Sequence, residues 1–219
     1  MEAARRPAPR TAASPPAPSP ERGRWIAAAL ARLGDGGVDA VKVEALAKRL
    51  RVTKGGFYWH FKDRAALLAA VLDDWRAGRV AAIERQAARA GRDARERLAG
   101  LVALYVESAN PKAAAIELAI RDWARRDRAA AAAVADVDAA RLDQVAQLYV
   151  ALGLPRAEAD ARAFLFYAFL FGQSLLFLPR TAAARRALVA ACTAMLADAP
   201  AAPRPRGRRG PDGVTPSAR

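Results

Sequence analysis

The sequence predicts an all-α protein: an N-terminal three-helix helix-turn-helix domain followed by a larger helical domain. Three observations carry this. Hydrophobic residues make up 53% of the 219 residues while aromatics are only 7%, and the apolar share is dominated by alanine, the strongest helix former. Apolar residues recur at helical spacing from Trp25 to Met195. Alternating runs of Val, Ile and Thr, the mark of strands, are absent.

Each element follows from local pattern. Residues 1–20 are rich in Pro, Ala and Ser and carry Arg5, Arg6 and Arg10, a composition that predicts a disordered basic arm. Helix 1 is expected from Glu21 to Leu33, with Trp25, Ile26, Ala29, Leu30 and Leu33 on one face, ended by Gly34-Asp35-Gly36-Gly37. Helix 2 covers Val43 to Leu50. Lys42 stands where a capping hydroxyl is common, so Asp39 is the expected cap of a slightly earlier start. After the turn at Arg51-Val52, Thr53 caps a brief helix 3 running to Phe61. Helix 4 begins near Asp63 with Leu67, Leu68, Val71, Leu72 and Trp75 along one side.

Further helical segments are expected from Arg92 to Asn110-Pro111, around Ile116, Ile120 and Trp123, from Asp127 to Leu152, from Arg156 to Leu178, and from Thr181 to Ala197. Residues 199–219, with Arg204, Arg206, Arg208 and Arg209 among prolines and glycines, repeat the character of the N-terminal arm. The expected organisation is an arm over 1–20, a helix-turn-helix domain over 21–68, a helical domain over 69–198 and a basic tail over 199–219.

A formal charge of +14, from 36 basic and 22 acidic residues, predicts attraction to polyanions, nucleic acid or an anionic membrane surface. Cys192 is the only cysteine and His60 the only histidine. An intrachain disulfide and a Cys/His metal cluster are therefore excluded within one subunit, and no metal or cofactor is expected. A nucleotide-binding loop and a paired-acid constellation are missing too, so the chain is not expected to be an enzyme and no catalytic residue is assigned. No apolar stretch follows the N-terminal arginines, so no signal peptide is expected and the cytoplasm is the default location. The apolar run from Ala163 to Leu178 is shorter than the ~20 residues a spanning helix needs, which favours a core and argues against membrane insertion.

Helices 2 and 3 are too short to stand alone, and their tight connection is the pattern of a helix-turn-helix. Phe57 and Phe61, one turn apart, can pack with Leu46, Leu50 and Val52, which turns Lys54, Gly55 and Tyr58 outward. Gly55 and Gly56 each cost about 1 kcal/mol of helix stability relative to alanine; close approach of the backbone to DNA would be the return. Residues 42–72, and above all Val52-Thr53-Lys54-Gly55-Gly56-Phe57-Tyr58-Trp59-His60-Phe61-Lys62, resemble the signature of the TetR family of transcriptional regulators, from helix 1 through helix 4.

The resemblance implies a DNA-contacting set of Thr53, Lys54, Gly55, Gly56, Tyr58, Trp59, His60 and Lys62. Within it Thr53 caps the recognition helix, Lys54 and Gly55 lie nearest base edges or backbone, and Tyr58, His60 and Lys62 meet phosphates. Trp59 has two readings: flanking the DNA backbone, or covering the packing face of helix 1. Arg51 departs from the family pattern, standing where the turn usually has glycine, and would adopt a left-handed conformation. Gly56 departs too, where serine or threonine is common.

The resemblance also implies a homodimer, two recognition helices in successive major grooves of a palindromic duplex operator, and a C-terminal domain that senses a small hydrophobic ligand. Phe164, Tyr167, Leu170, Phe171, Leu188, Cys192 and Met195 are the candidates for the dimer interface. Tyr105, Trp123, Phe166, Phe169 and Gln173 are those for a ligand pocket. Spacing alone leaves open which face of the 156–178 helix meets the partner. The expected function is a sequence-specific repressor released from its operator by ligand; the alternative is a constitutive DNA-binding regulator or architectural protein with no inducer.

Overall fold

Alanine-rich segments punctuated by glycine and proline fold as a succession of helices. The computed structural model describes residues 20–87, 93–106, 110–176 and 181–198; the two basic tails of the sequence reading lie outside them. In chain order the helices are α1 (Pro20–Gly36), α2 (Val43–Leu50), α3 (Lys54–Tyr58), α4 (Arg64–Ala87), α5 (Ala94–Val106), α6 (Pro111–Ala124), α7 (Arg128–Ala151), α8 (Arg156–Leu175) and α9 (Ala182–Ala197). A single 3-10 turn, Val38–Ala40, precedes α2, and no strand occurs among the described residues. None of these helices is long and apolar enough to cross a membrane.

α1 runs past Leu33 to Gly36, three residues beyond the expected end. It stops at Gly37, whose φ of +74° suits glycine and whose N–H closes onto the Leu33 carbonyl at 2.8 Å. The end falls within the Gly34-Asp35-Gly36-Gly37 stretch expected to close the helix, at its last residue, while Gly34 itself stays helical and serves packing. A Cβ built there would come within 2.9 Å of Ile116 Cγ1, so only glycine lets α6 lie this close.

The described residues divide into two compact units, those within Met1–Trp75 and Lys112–Ala133, and those within Arg76–Pro111 and Val134–Arg219. α6 joins the first unit through the contact of Ile116 with Gly34. The core of that unit holds Trp25, Leu33, Val41, Leu46, Phe57 and Leu67, all essentially sealed from solvent. Arg64 at the start of α4 donates from Nε to the Val41 carbonyl at 2.7 Å and from Nη2 to the Val38 carbonyl at 2.6 Å. Those charge-assisted bonds hold the turn before α2 against α4.

In the second unit Leu98, Val102, Val145, Tyr149, Phe166, Tyr167, Leu170 and Val189 form one apolar core from α5, α7, α8 and α9. Tyr149 donates its hydroxyl to the Leu196 carbonyl at 2.7 Å, tying α7 to α9. Gln144 donates to the Ile83 carbonyl at 3.0 Å and ties α7 to α4. α8 is apolar on two opposite sides. Ala159, Ala163, Phe166, Tyr167 and Leu170 are buried, whereas Ala161, Phe164, Leu165, Ala168 and Leu175 are exposed along the other arc.

Candidate nucleic-acid interface

The geometry of α2, its turn and α3 follows from a few backbone decisions. Lys42 is extended (φ −107°, ψ 133°) and starts α2 without a side-chain cap. Asp39, expected as the cap, sits instead in the 3-10 turn, which the Arg64 bonds hold in place. α2 ends as Arg51 takes the left-handed conformation, φ 58° and ψ 41°. The Arg51 N–H reaches the Ala47 and Lys48 carbonyls, and the Val52 N–H reaches Ala47 at 3.0 Å. Terminal carbonyls of α2 are thereby satisfied, at the steric cost a Cβ carries in this region.

Thr53 then caps α3: its Oγ1 accepts from the Gly56 N–H at 3.3 Å. α3 closes at Tyr58, three residues before the expected end. The Phe57 carbonyl accepts from both His60 and Phe61, at 2.9 and 3.0 Å, which turns the chain out of the helix. Asp63 starts α4 by accepting from the Ala66 N–H at 2.8 Å.

Two aromatic anchors set the roll of α3. Phe57 is fully buried, edge-on to Trp25 with centroids 5.3 Å apart, and stacked on Phe61 at 5.5 Å. With that side turned inward, Thr53, Lys54, Gly55, Tyr58 and Lys62 are exposed and Gly56 and His60 are half-buried. Trp59 is 88% exposed, which rules out its covering the packing face of helix 1. Cβ atoms built on Gly55 and Gly56 would meet only Thr53 Oγ1, at 3.7 and 3.8 Å, ordinary contacts. Among the described residues nothing demands glycine at either place.

The surface around α3 is cationic. Between 42 and 64 stand seven basic residues against two acidic ones, Glu44 and Asp63. Glu44 is exposed on α2 and its Oε1 lies 2.6 Å from Lys54 Nζ. The hydrogen bond from Lys54 holds the Glu44 carboxyl below its ordinary pKa, and the same bond raises that of the Lys54 ammonium. Sequence reasoning missed both Glu44 and Arg64. Glu44 lies ten positions from Lys54, beyond any local spacing rule; Arg64 had a signal, as the basic residue at the head of α4.

The remaining expected residues divide between the units. Trp123 is buried in the first, Phe166 is buried and Phe169 half-buried in the second, and Tyr105 and Gln173 are described only by their backbones in α5 and α8. Of the expected interface residues, Phe164, Leu188 and Met195 are exposed, at 64%, 37% and 74%. Tyr167 and Leu170 lie instead in the core of their own subunit, because they share the inward arc of α8 with Phe166. Phe171 packs partly against that core beneath the Arg141 guanidinium, and Cys192 is half-buried. Exposed apolar side chains that the sequence reading passed over, Leu165 and Leu175, sit on the outward arc.

Residues 26–71 match the pattern of the bacterial regulatory proteins of the tetR family. A curated relative, the class G tetracycline repressor protein of Vibrio anguillarum, is 41% identical over 51 residues; the match spans 23% of this chain and 24% of that repressor. Among solved structures, one described as a TetR-family transcriptional regulator from Rhodococcus sp. is similar with a TM-score of 0.65 and 21% identity, covering 82% of this chain and 100% of that one. Another, described as a transcriptional regulator from Saccharomonospora viridis in complex with choline, has a TM-score of 0.64 and 20% identity over 78% of this chain and 93% of that one. At those identities the likeness concerns the fold.

Proposed function

We propose that this chain, a member of the TetR family by its N-terminal domain, is a transcriptional regulator that binds a palindromic operator as a homodimer. The observation that carries the reading is the outward face of α3. Lys54 and Tyr58 on the helix and Trp59 just after it stand exposed, with Phe57 and Phe61 anchoring the other side, beside two glycines the described fold does not require. A large exposed indole and phenol on a cationic surface suit a polyanion with sugar faces, and glycine admits close backbone approach. In this reading Thr53, Tyr58, His60 and Lys62 hold phosphates, and Lys54 with Gly55 approaches the bases.

Dimerisation is supported by the second unit. The outward arc of α8 and, on α9, Ala184, Leu188, Ala191 and Met195 at helical spacing form two exposed apolar stripes. Such stripes suit the self-complementary contact of a two-fold dimer. We extend the proposal to repression relieved by a small ligand taken up in the C-terminal region. Its support is the similar fold of the Saccharomonospora viridis regulator, which holds choline.

The test is selection of bound duplexes from a random pool at ~150 mM salt, where nonspecific attraction is damped. Enrichment of a palindrome, lost in a Lys54→Ala, Tyr58→Phe variant, is the expected result. Equal enrichment by that variant would overturn the assignment of α3. A palindrome bound with an affinity that no small molecule alters would favour the constitutive regulator.

A further inference from the structure

Glu44 is the sole acidic side chain on α2 and α3. On a surface meant for a polyanion, a carboxylate weakens every encounter with phosphate, so its presence asks for a return. Its position answers. Glu44 Oε1 and Lys54 Nζ are 2.6 Å apart, with side chains 66% and 54% exposed. An exposed pair of this kind contributes little to stability, so holding the fold together is a poor reason for it. Its chemistry offers another. An ammonium carries three N–H donors and a carboxylate two acceptor oxygens, so the pair can bind each other and still present donors beside an acceptor.

Resting on the DNA-binding reading above, we infer that Glu44 and Lys54 act together as a base-reading pair selecting a G·C pair in the major groove. Lys54 donates to guanine and Glu44 accepts from the cytosine amino group. The edge of a G·C pair presents two acceptors, guanine N7 and O6, followed by the N4 amino donor of cytosine. The A·T edge presents an acceptor, a donor, an acceptor and a methyl group. There the adenine amino group would face the ammonium and thymine O4 the carboxylate. Both juxtapositions repel. The pair is also neutral as a unit, unlike Lys48, Arg49 or Lys62, so it adds nothing to phosphate attraction and acts on the choice of sequence.

The experiment repeats the duplex selection with the full-length protein, Glu44→Ala and Lys54→Ala, then measures affinities for the winning operator and for single base-pair changes in it. Wild type is expected to select G·C at a defined position of each half-site. Glu44→Ala should reduce discrimination there by about 5- to 150-fold while binding nonspecific duplex more tightly. Lys54→Ala should relax the same position. Replacing that guanine with 7-deazaguanine, which removes N7, should weaken wild type severalfold and leave Lys54→Ala unmoved; this measurement needs no Glu44 variant to fold. Should wild type enrich a palindrome that Glu44→Ala reads with unchanged discrimination, or should the two variants relax different positions, the pair is overturned while the operator-binding reading stands. If wild type enriches no sequence, both fall.

Discussion

Replacing Gly55 by alanine separates a glycine kept for the fold from one kept for a partner. Gly55 is the second residue of α3, and a Cβ there meets only Thr53 Oγ1 at 3.7 Å. Alanine is worth up to about 1 kcal/mol over glycine within a helix, and restriction of the unfolded chain alone gives about 0.4–1 kcal/mol. In so short a helix the lower half of that range applies, roughly 0.5 kcal/mol. For a chain of this size that raises Tm by about 1–2 °C. DNA binding should move the other way. A methyl group forced into a packed contact costs on the order of 1–3 kcal/mol, or ~5- to 150-fold in Kd. Thermal melting and fluorescence anisotropy with the selected operator at ~150 mM salt measure the two effects. Gly34→Ala is the contrast: its Cβ would lie 2.9 Å from Ile116 Cγ1, so it should melt earlier than wild type. A Gly55→Ala protein that is more stable and binds operator as before would refute the close-approach argument. One that melts earlier would refute the steric argument beneath it.

Four further outcomes are expected. Arg51→Gly should stabilise the protein by about 0.5–1 kcal/mol, because glycine removes the left-handed penalty of ~1–2 kcal/mol and returns part of it as chain entropy; an unchanged or lowered denaturation midpoint would count against strain at φ 58°. Arg64→Met removes two donors from the Val38 and Val41 carbonyls and should cost about 2–3 kcal/mol by denaturant unfolding; a loss below ~0.5 kcal/mol would mean those bonds are not what holds the turn. Tyr149→Phe should cost about 1 kcal/mol at neutral pH, because the Leu196 carbonyl loses its donor. Burial lifts the Tyr149 phenol above its ordinary value of 10.0, so its contribution is full below that pH and is lost as pH rises through the folded-state value. Wild type should therefore lose more stability than Tyr149→Phe in alkaline melts, and parallel curves would contradict this. Leu165→Glu with Met195→Glu places charge on the two outward stripes and should yield folded monomers in sedimentation; dimers persisting at micromolar concentration would place the interface elsewhere.

Much of this molecule is written in local pattern. Helical periodicity with alanine as the filler determined an all-α chain, and the span of α2 came from the sequence, though not the earlier start expected from a cap at Asp39. The Thr53 cap was equally legible, because it depends on neighbours within a few residues; the left-handed Arg51 came from the resemblance, and the inward turn of Phe57 is sealed by Trp25, far away in sequence. Tertiary structure decided what depends on distant partners. Gly34 sits inside α1 and must be glycine because Ile116 fills the space its missing Cβ leaves. Asp39 lost its capping role to a turn that Arg64 pulls against α4. Tyr167 and Leu170 went inward while Leu165 and Leu175 went outward. A helix apolar all round carries no period to say which arc meets its own subunit, so only the packing of α5, α7 and α9 could choose. Glu44 met Lys54 only once α2 and α3 had been brought together by the turn at Arg51.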